Sequence, residues 1–145
     1  RWKDWVRGFP LTLGGAGEAI RAAYPTFAAR VPFREITLRN ATDADLIALA
    51  SWPEAALVRK LGVWTESGRI GEPGLLALAG SEHLSNLQRL QMREVGYTAR
   101  GMRAFLNSPF LAGLVSVKIV GHGFRELSAE LRQRANTRFG EWTVY

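Results

Sequence analysis

The apolar positions of this chain fall into a recurring triplet of the form apolar-x-x-apolar-x-apolar. Phe33, Ile36 and Leu38 make one, Val58, Leu61 and Val63 the next, then Leu87, Leu90 and Met92, then Leu114, Val117 and Ile119. The middle members Ile36, Leu61, Leu90 and Val117 follow one another at intervals of 25, 29 and 27 residues. The last two members of each triplet are two apart, the period of a strand with one buried face. Leu11 and Leu13 stand 25 residues before Ile36 and Leu38 and read as a degenerate first copy, and Trp142-Thr143-Val144 reads as a closing strand. Two neighbouring units agree over their whole length. Gly74, Ala77, Leu78, Ser81, Leu84 and Leu87 recur as Gly101, Ala104, Phe105, Ser108, Leu111 and Leu114, each at an offset of 27. Recurrence at fixed offsets is the signature of a repeat architecture.

Between the triplets lie short helical patterns. Thr42 or Asp43 can cap a helix carrying Leu46, Leu49 and Ala50, and Pro73 suits the first turn of one carrying Leu75, Leu76 and Leu78. Thr98 precedes Met102, Phe105 and Leu106, and a longer closing helix places Phe124, Leu127 and Leu131 on one face. One strand and one short helix cannot bury an apolar stripe alone, so successive units must stack. The expectation is an α/β fold, a leucine-rich repeat solenoid with a parallel concave sheet and convex helices. A single domain over 1–145 is expected: 1–32 as N-terminal cap and degenerate repeat, 33–123 as central repeats and 124–145 as C-terminal cap. Trp2 and Trp5 would cover the open end of the stack.

With those residues in place, the chain resembles ribonuclease-inhibitor-type leucine-rich repeats. More narrowly, it is similar to the bacterial repeat-companion leucine-rich repeat proteins, in which a Trp…Arg-Gly-Phe segment precedes the repeats and a Leu-Arg-x-Arg…Phe-Gly segment closes them. The counterparts are Trp5-Val6-Arg7-Gly8-Phe9 and Leu131-Arg132-Gln133-Arg134…Phe139-Gly140. The resemblance implies a non-enzymatic protein-interaction scaffold within a larger chain. It also implies an Asn bonding the backbone at the turn after each strand, where this chain has Ala41, Glu66, Val95 and His122.

Composition narrows the chemistry. The 145 residues are 47% apolar and 22% charged, the balance of a globular domain. The absence of cysteine excludes disulfides, a thiolate zinc site and a cysteine nucleophile. His83 and His122 have no second ligand at metal spacing, so neither a metal nor a cofactor is expected, and no nucleophile and orienting acid accompany them. No apolar run reaches the roughly 20 residues of a membrane span, and Arg1-Trp2-Lys3-Asp4-Trp5 does not open a signal peptide, so a cytoplasmic location is expected. The chain begins without methionine and reads as part of something longer. Its net charge of +6 and pI near 10.5 favour an acidic partner.

Two regions carry candidate function. Gly14-Gly15-Ala16-Gly17 follows a strand and opens a helix, the context of a dinucleotide-binding turn, with Arg39 placed to meet a 2′-phosphate. Yet Ile20 stands where the third glycine belongs, and a plain strand-to-helix turn is the alternative. On the sheet, if the triplets point inward, their neighbours form three outward rows: Glu35, Lys60, Arg89, Ser116; then Thr37, Gly62, Gln91, Lys118; then Arg39, Trp64, Arg93, Val120. Five cations and one anion share this face. The expected partner site is Trp64 with Arg39 and Arg93 beside it and Lys60, Arg89, Gln91 and Lys118 around. The partner would be a protein, acidic at the contact, with nucleic acid a lesser reading and a small nucleotide-binding enzyme domain the alternative. A bland reading leaves the face solvated, with arginine stacked over Trp64.

Overall fold

The computed structural model describes residues 2–6, 9–28, 30–66 and 69–139. Six strands form one open sheet in the order in which they occur along the chain. β1 (Trp2–Val6) lies antiparallel to β2 (Phe9–Ala16), and β3 (Glu35–Arg39), β4 (Lys60–Trp64), β5 (Arg89–Gly96) and β6 (Ser116–His122) each add parallel to the strand before. The helices α1 (Gly17–Ala28), α2 (Asp43–Ser51), α3 (Glu72–Gly80), α4 (Ala99–Asn107) and α5 (Ala129–Phe139) pack side by side in the same sequence. The chain is α/β, with five parallel strands alternating with helices. Among the described residues no helix is long and apolar enough to cross a membrane.

The triplets are the core. Ile36, Leu61, Leu90 and Val117 pair across adjacent strands, as do Leu38, Val63, Met92 and Ile119, and all eight are buried. Phe33, Val58, Leu87 and Leu114 lie buried in the approaches to the strands. A backbone ladder sets this register. The Arg34 carbonyl accepts from the N–H of Arg59 (2.8 Å) and of Lys60 (3.0 Å). The Arg59 carbonyl accepts from Gln88 (2.9 Å) and Arg89 (3.0 Å), and that of Gln88 from Val115 (2.9 Å) and Ser116 (3.2 Å). Arg34, Arg59, Gln88 and Val115 therefore recur at the same 25, 29 and 27 intervals as the apolar triplets.

The helices are joined by polar contacts from one unit to the next. Asp43 Oδ1 accepts from the Gly71 and Gly74 N–H groups at 3.0 and 2.8 Å, closing the N-terminus of α3 from the preceding unit. Asp45, only 4% exposed, accepts at Oδ2 from the Thr42 N–H (2.9 Å) and hydroxyl (3.0 Å). Its Oδ1 accepts no hydrogen bond but lies 3.4 Å from the Arg21 guanidinium of α1. A buried carboxylate needs such partners. Thr98 caps α4 as the sequence predicts, its Oγ1 accepting from the Gly101 N–H at 3.0 Å. The Ser81 and Ser108 hydroxyls, a repeat-matched pair, donate at 2.5 Å to the Ala50 and Ala79 carbonyls in the last turns of the preceding helices. Trp52 ends α2 in that position and instead stacks on Tyr24, ring centroids 4.7 Å apart.

The structure corrects several expectations. The first copy is shifted: Leu13, not Leu11, pairs with Ile36, and Gly15 pairs with Leu38. The inward position there has no side chain, and Ile20 of α1 fills it, 3.3 Å from where a Cβ on Gly15 would sit. Gly14, Gly15 and Ala16 accordingly end β2, each paired with β3, and Gly17 opens α1 directly, as the strand-to-helix reading expected. The β6 residue matching Val95 is Gly121, not His122, and both lie within their strands, because Glu94 is the extra residue of a β-bulge, with φ +61°. Gly121 is buried under that bulge, and a Cβ on it would collide with the Val95 carbonyl. The closing helix is not continuous from Phe124: a 3-10 turn over Phe124–Glu126 precedes α5, and the Ser128 hydroxyl accepts from the Leu131 N–H. Trp142-Thr143-Val144 and the ends of both cap segments lie outside the described residues, as do the side chains of Trp2 and Trp5.

Two outcomes follow from this packing. Gly121→Ala should destabilise by about 3 kcal/mol, the upper end of ordinary overpacking, because the clash is with backbone. Gly80→Ala, with nothing within 4 Å of the added carbon, should cost nothing. Urea titration of the two variants reads both effects. The Tyr24 phenol donates to the Glu54 carbonyl at 3.3 Å, and burial, with the Glu54 charge added, pushes its pKa up to about 12. The folded state then keeps a proton that the unfolded chain has lost. Stability is complete below pH 10 and should fall by roughly 2–3 kcal/mol from this group as pH rises from 10 to 12. Burial raises Tyr97 in the same direction. Tyr24→Phe should flatten the fall when unfolding is measured across that range.

Candidate functional site

The strand register assembles the outward rows. Glu35, Lys60, Arg89 and Ser116 lie side by side, extended by Thr12 of β2. Thr37, Gly62, Gln91 and Lys118 form the next row, and Arg39, Trp64, Arg93 and Val120 the third. Neighbouring strands are about 4.8 Å apart, so each row holds its side chains in near contact. Val120 departs from the expected open row, being buried at 7% exposure.

Trp64 is 42% exposed, one of four large apolar side chains with substantial exposure among the described residues. Its position has a local cause. Gly62 leaves room beneath it: a Cβ there would lie 3.5 Å from the indole Nε1 and 3.4 Å from Thr37 Oγ1. The Arg93 guanidinium sits 5.6 Å from the centre of the Trp64 ring, a cation–π contact. The stacking of the bland reading is therefore present, but it leaves Trp64 substantially open. Arg39, on the other flank, is exposed and its side chain has no ion pair or hydrogen bond among the described residues.

The charges divide unevenly. Lys60 Nζ meets Glu35 Oε1 at 2.7 Å, with the two side chains 45% and 29% exposed. That pair neutralises the one acidic residue of the predicted face. Arg89 and Lys118 are exposed without an ion-pair partner among the described residues, and Gln91, half-buried, stands between Gly62 and Lys118. The predicted site residues thus share one face. They split into an aromatic group of Arg39, Trp64 and Arg93 at the strand ends and a cationic group around Lys60 and Arg89 at the strand starts.

Sequence reasoning missed two features. Glu94, lifted out of register by the bulge, pairs with His122 Nε2 at 3.2 Å beside Arg93. Only the geometry of the bulge brings these together. Arg34, Arg59 and Gln88 line a depression of about 280 Å³ with Thr12, Glu35, Lys60 and Arg89. Their signal was the interval itself, since they recur one residue before each strand. At the turn of the dinucleotide reading, the Asp45 carboxylate lies against Gly17 at the start of α1, with Arg21 3.4 Å from its Oδ1. Comparisons with protein-family models, with curated proteins and with solved structures gave no match.

The Lys60–Glu35 pair is half-exposed, so it should contribute little. Glu35→Gln is expected to change the unfolding free energy by less than about 1 kcal/mol by denaturant titration. A larger loss would mark the pair as part of the folding core instead of the surface.

Proposed function

We propose that this chain is a short leucine-rich repeat solenoid serving as a non-catalytic, cytoplasmic protein-interaction scaffold, similar to the bacterial repeat-companion proteins. Its open sheet face would bind an acidic segment of a protein partner. The observation that carries this reading is the Arg39–Trp64–Arg93 row: an exposed indole flanked in register by two arginines on adjacent strands, with Arg93 stacked over it. Folding gains nothing from gathering cations on one open face. A carboxylate-bearing segment would relieve the repulsion, with Trp64 as apolar anchor and the guanidinium forks as carboxylate receptors. A rigid sheet presents these groups with little loss of backbone entropy on binding.

The strand order also weighs against the nucleotide-binding alternative. Open α/β sheets bind nucleotides in the crevice where strand order reverses. In β2 to β6 the order runs in one direction without reversal.

The test is alanine substitution against a partner identified by crosslinking from the native source. Trp64→Ala should weaken binding by about 2 kcal/mol or more, the hot-spot threshold. Arg39→Ala and Arg93→Ala should act on affinity, and Lys60→Ala, already paired with Glu35, mainly on association rate and salt dependence. Arg103→Ala, exposed on α4, is the control. Loss of binding in the control with none in Trp64→Ala would move the interface to the helical side.

A further inference from the structure

The depression at the strand starts is separate from the Trp64 row. It is formed where β3, β4 and β5 begin, by three consecutive turns whose carbonyls carry the backbone ladder. That ladder fixes the spacing of Arg34, Arg59 and Gln88 by backbone, independent of their side chains. Four cations line the depression, and Glu35 neutralises only Lys60. Arg59 is already oriented: its guanidinium donates to the Asn86 carbonyl at 3.2 Å, and Asn86 Nδ2 in turn donates to the Ala56 carbonyl at 2.9 Å. The Arg34 and Arg89 side chains are exposed and make no ion pair or hydrogen bond among the described residues. Thr12 and Gln88 add a hydroxyl and an amide to the lining. At about 280 Å³ the space lies just below the roughly 300–1,000 Å³ of small-molecule sites, so it suits a single charged group.

We propose that this depression is an oxyanion subsite for a phosphoryl group, presented by a phosphorylated side chain of a protein partner. Three uncompensated guanidinium groups around one opening exceed what a single carboxylate neutralises. A phosphomonoester carries about −1.5 to −2 charge at neutral pH and three strong acceptor oxygens, which matches three arginine forks. The cations gather at one opening, whereas a strand-tracking nucleic-acid groove needs a continuous basic stripe interleaved with stacking aromatics. The subsite does not rest on the partner reading of Trp64: phosphate binds here whatever covers that residue.

The test is titration of the intact chain with inorganic phosphate, O-phosphoserine and acetate at constant ionic strength, followed by the arginine Nε–H resonances in NMR. Phosphate and O-phosphoserine should both shift Arg34, Arg59 and Arg89 while leaving Arg39 and Arg103 in place. Because the second ionisation of a phosphomonoester lies near pH 6, affinity should rise about tenfold from pH 5 to pH 7.5. Acetate should show no such rise. Arg34→Gln combined with Arg89→Gln should abolish the shifts at unchanged melting temperature, and each single variant should weaken binding. Trp64→Ala should leave phosphate binding as it is, which separates failure here from failure of the interface reading. Equal shifts at all exposed arginines, acetate binding as well as phosphate, or full phosphate binding by the double variant would each overturn the subsite. Exclusion of O-phosphoserine while inorganic phosphate binds would overturn the side-chain source. Tighter binding of a single-stranded oligonucleotide than of O-phosphoserine, with a steep salt dependence, would assign the surface to nucleic acid instead.

Discussion

Strands in a sheet stand about 4.8 Å apart, whereas packed helices need about 8–10 Å between axes. A chain built of one strand and one helix per unit has to satisfy both spacings at once. Here the helices are drawn together by small residues where each meets its neighbour. Gly74 of α3 lies so close to α2 that a Cβ added to it would sit 2.5 Å from Asp43 Oδ1, and one added to Gly101 of α4 would sit 3.1 Å from Leu75 on α3. Gly17 does the same against Asp45 from the other side of α2. α2 therefore carries two carboxylates facing opposite neighbours: Asp43 closes the start of α3, and Asp45 meets Arg21 of α1. Adjacent units are thus tied on the helix side by these contacts and at the strand starts by the Arg34, Arg59 and Gln88 carbonyls.

This is why the middle of the chain was legible in sequence and its borders were not. Leu61, Leu90 and Val117 advertise their register because every unit between them spends a large apolar residue on each inward position. The outward rows follow from period two alone, and Lys60, Arg89, Trp64 and Arg93 stand where alternation puts them. The first unit hides its register because its inward residue is Gly15, with the missing volume supplied from α1 by Ile20. Glu94 hides differently. One inserted residue changes the strand count without altering the apolar triplets, so the offset of 27 remains true for the cores and false for the turn beyond. Near the turns where the resemblance would place an asparagine, Thr65 Oγ1 donates to the Ala41 carbonyl and the Tyr97 N–H to that of His122. Such contacts leave no motif.

The two faces of the sheet make opposite demands on charge. On the helix side the buried Asp45 is matched by hydrogen bonds and by Arg21. On the open side, among the described residues, only the Lys60–Glu35 pair offsets the cations of the rows, with Glu94 and His122 paired at the rim. Arg138 shows what the chain does with an arginine that serves the fold: its guanidinium donates to the Leu111, Ala112 and Leu114 carbonyls. Arg34, Arg39 and Arg89 make no contact of that kind with other described residues, although the same backbone carbonyls occur throughout the turns. Arg39 and Arg89 stand in the outward rows and Arg34 lines the depression beside them, so cations that the described fold leaves unused gather on one side of the sheet.

The proposed anchors also constrain the shape of what binds. Trp64 ends β4 and Lys60 begins it, so the aromatic row and the cationic depression are separated by four residues, about 13 Å at the rise of a strand. An extended peptide covers that distance in four to five residues of its own at about 3.3 Å each. A helix would need about nine residues at 1.5 Å each to span it, and would present its anchors only where they fall on one face. The sheet floor between the anchors is Gly62, with Thr37 and Gln91 on either side, which leaves a low surface on which a backbone can lie. On the proposed reading, a phosphorylated segment in extended form would reach both ends at once, with its charge at the strand starts and its apolar or acidic residue against Trp64. Tethering two weak anchors in this way raises the effective concentration of the second once the first is engaged. On the proposed reading, two such anchors would reinforce each other only for a segment of matching length, so selectivity would lie in the distance between them as well as in their chemistry.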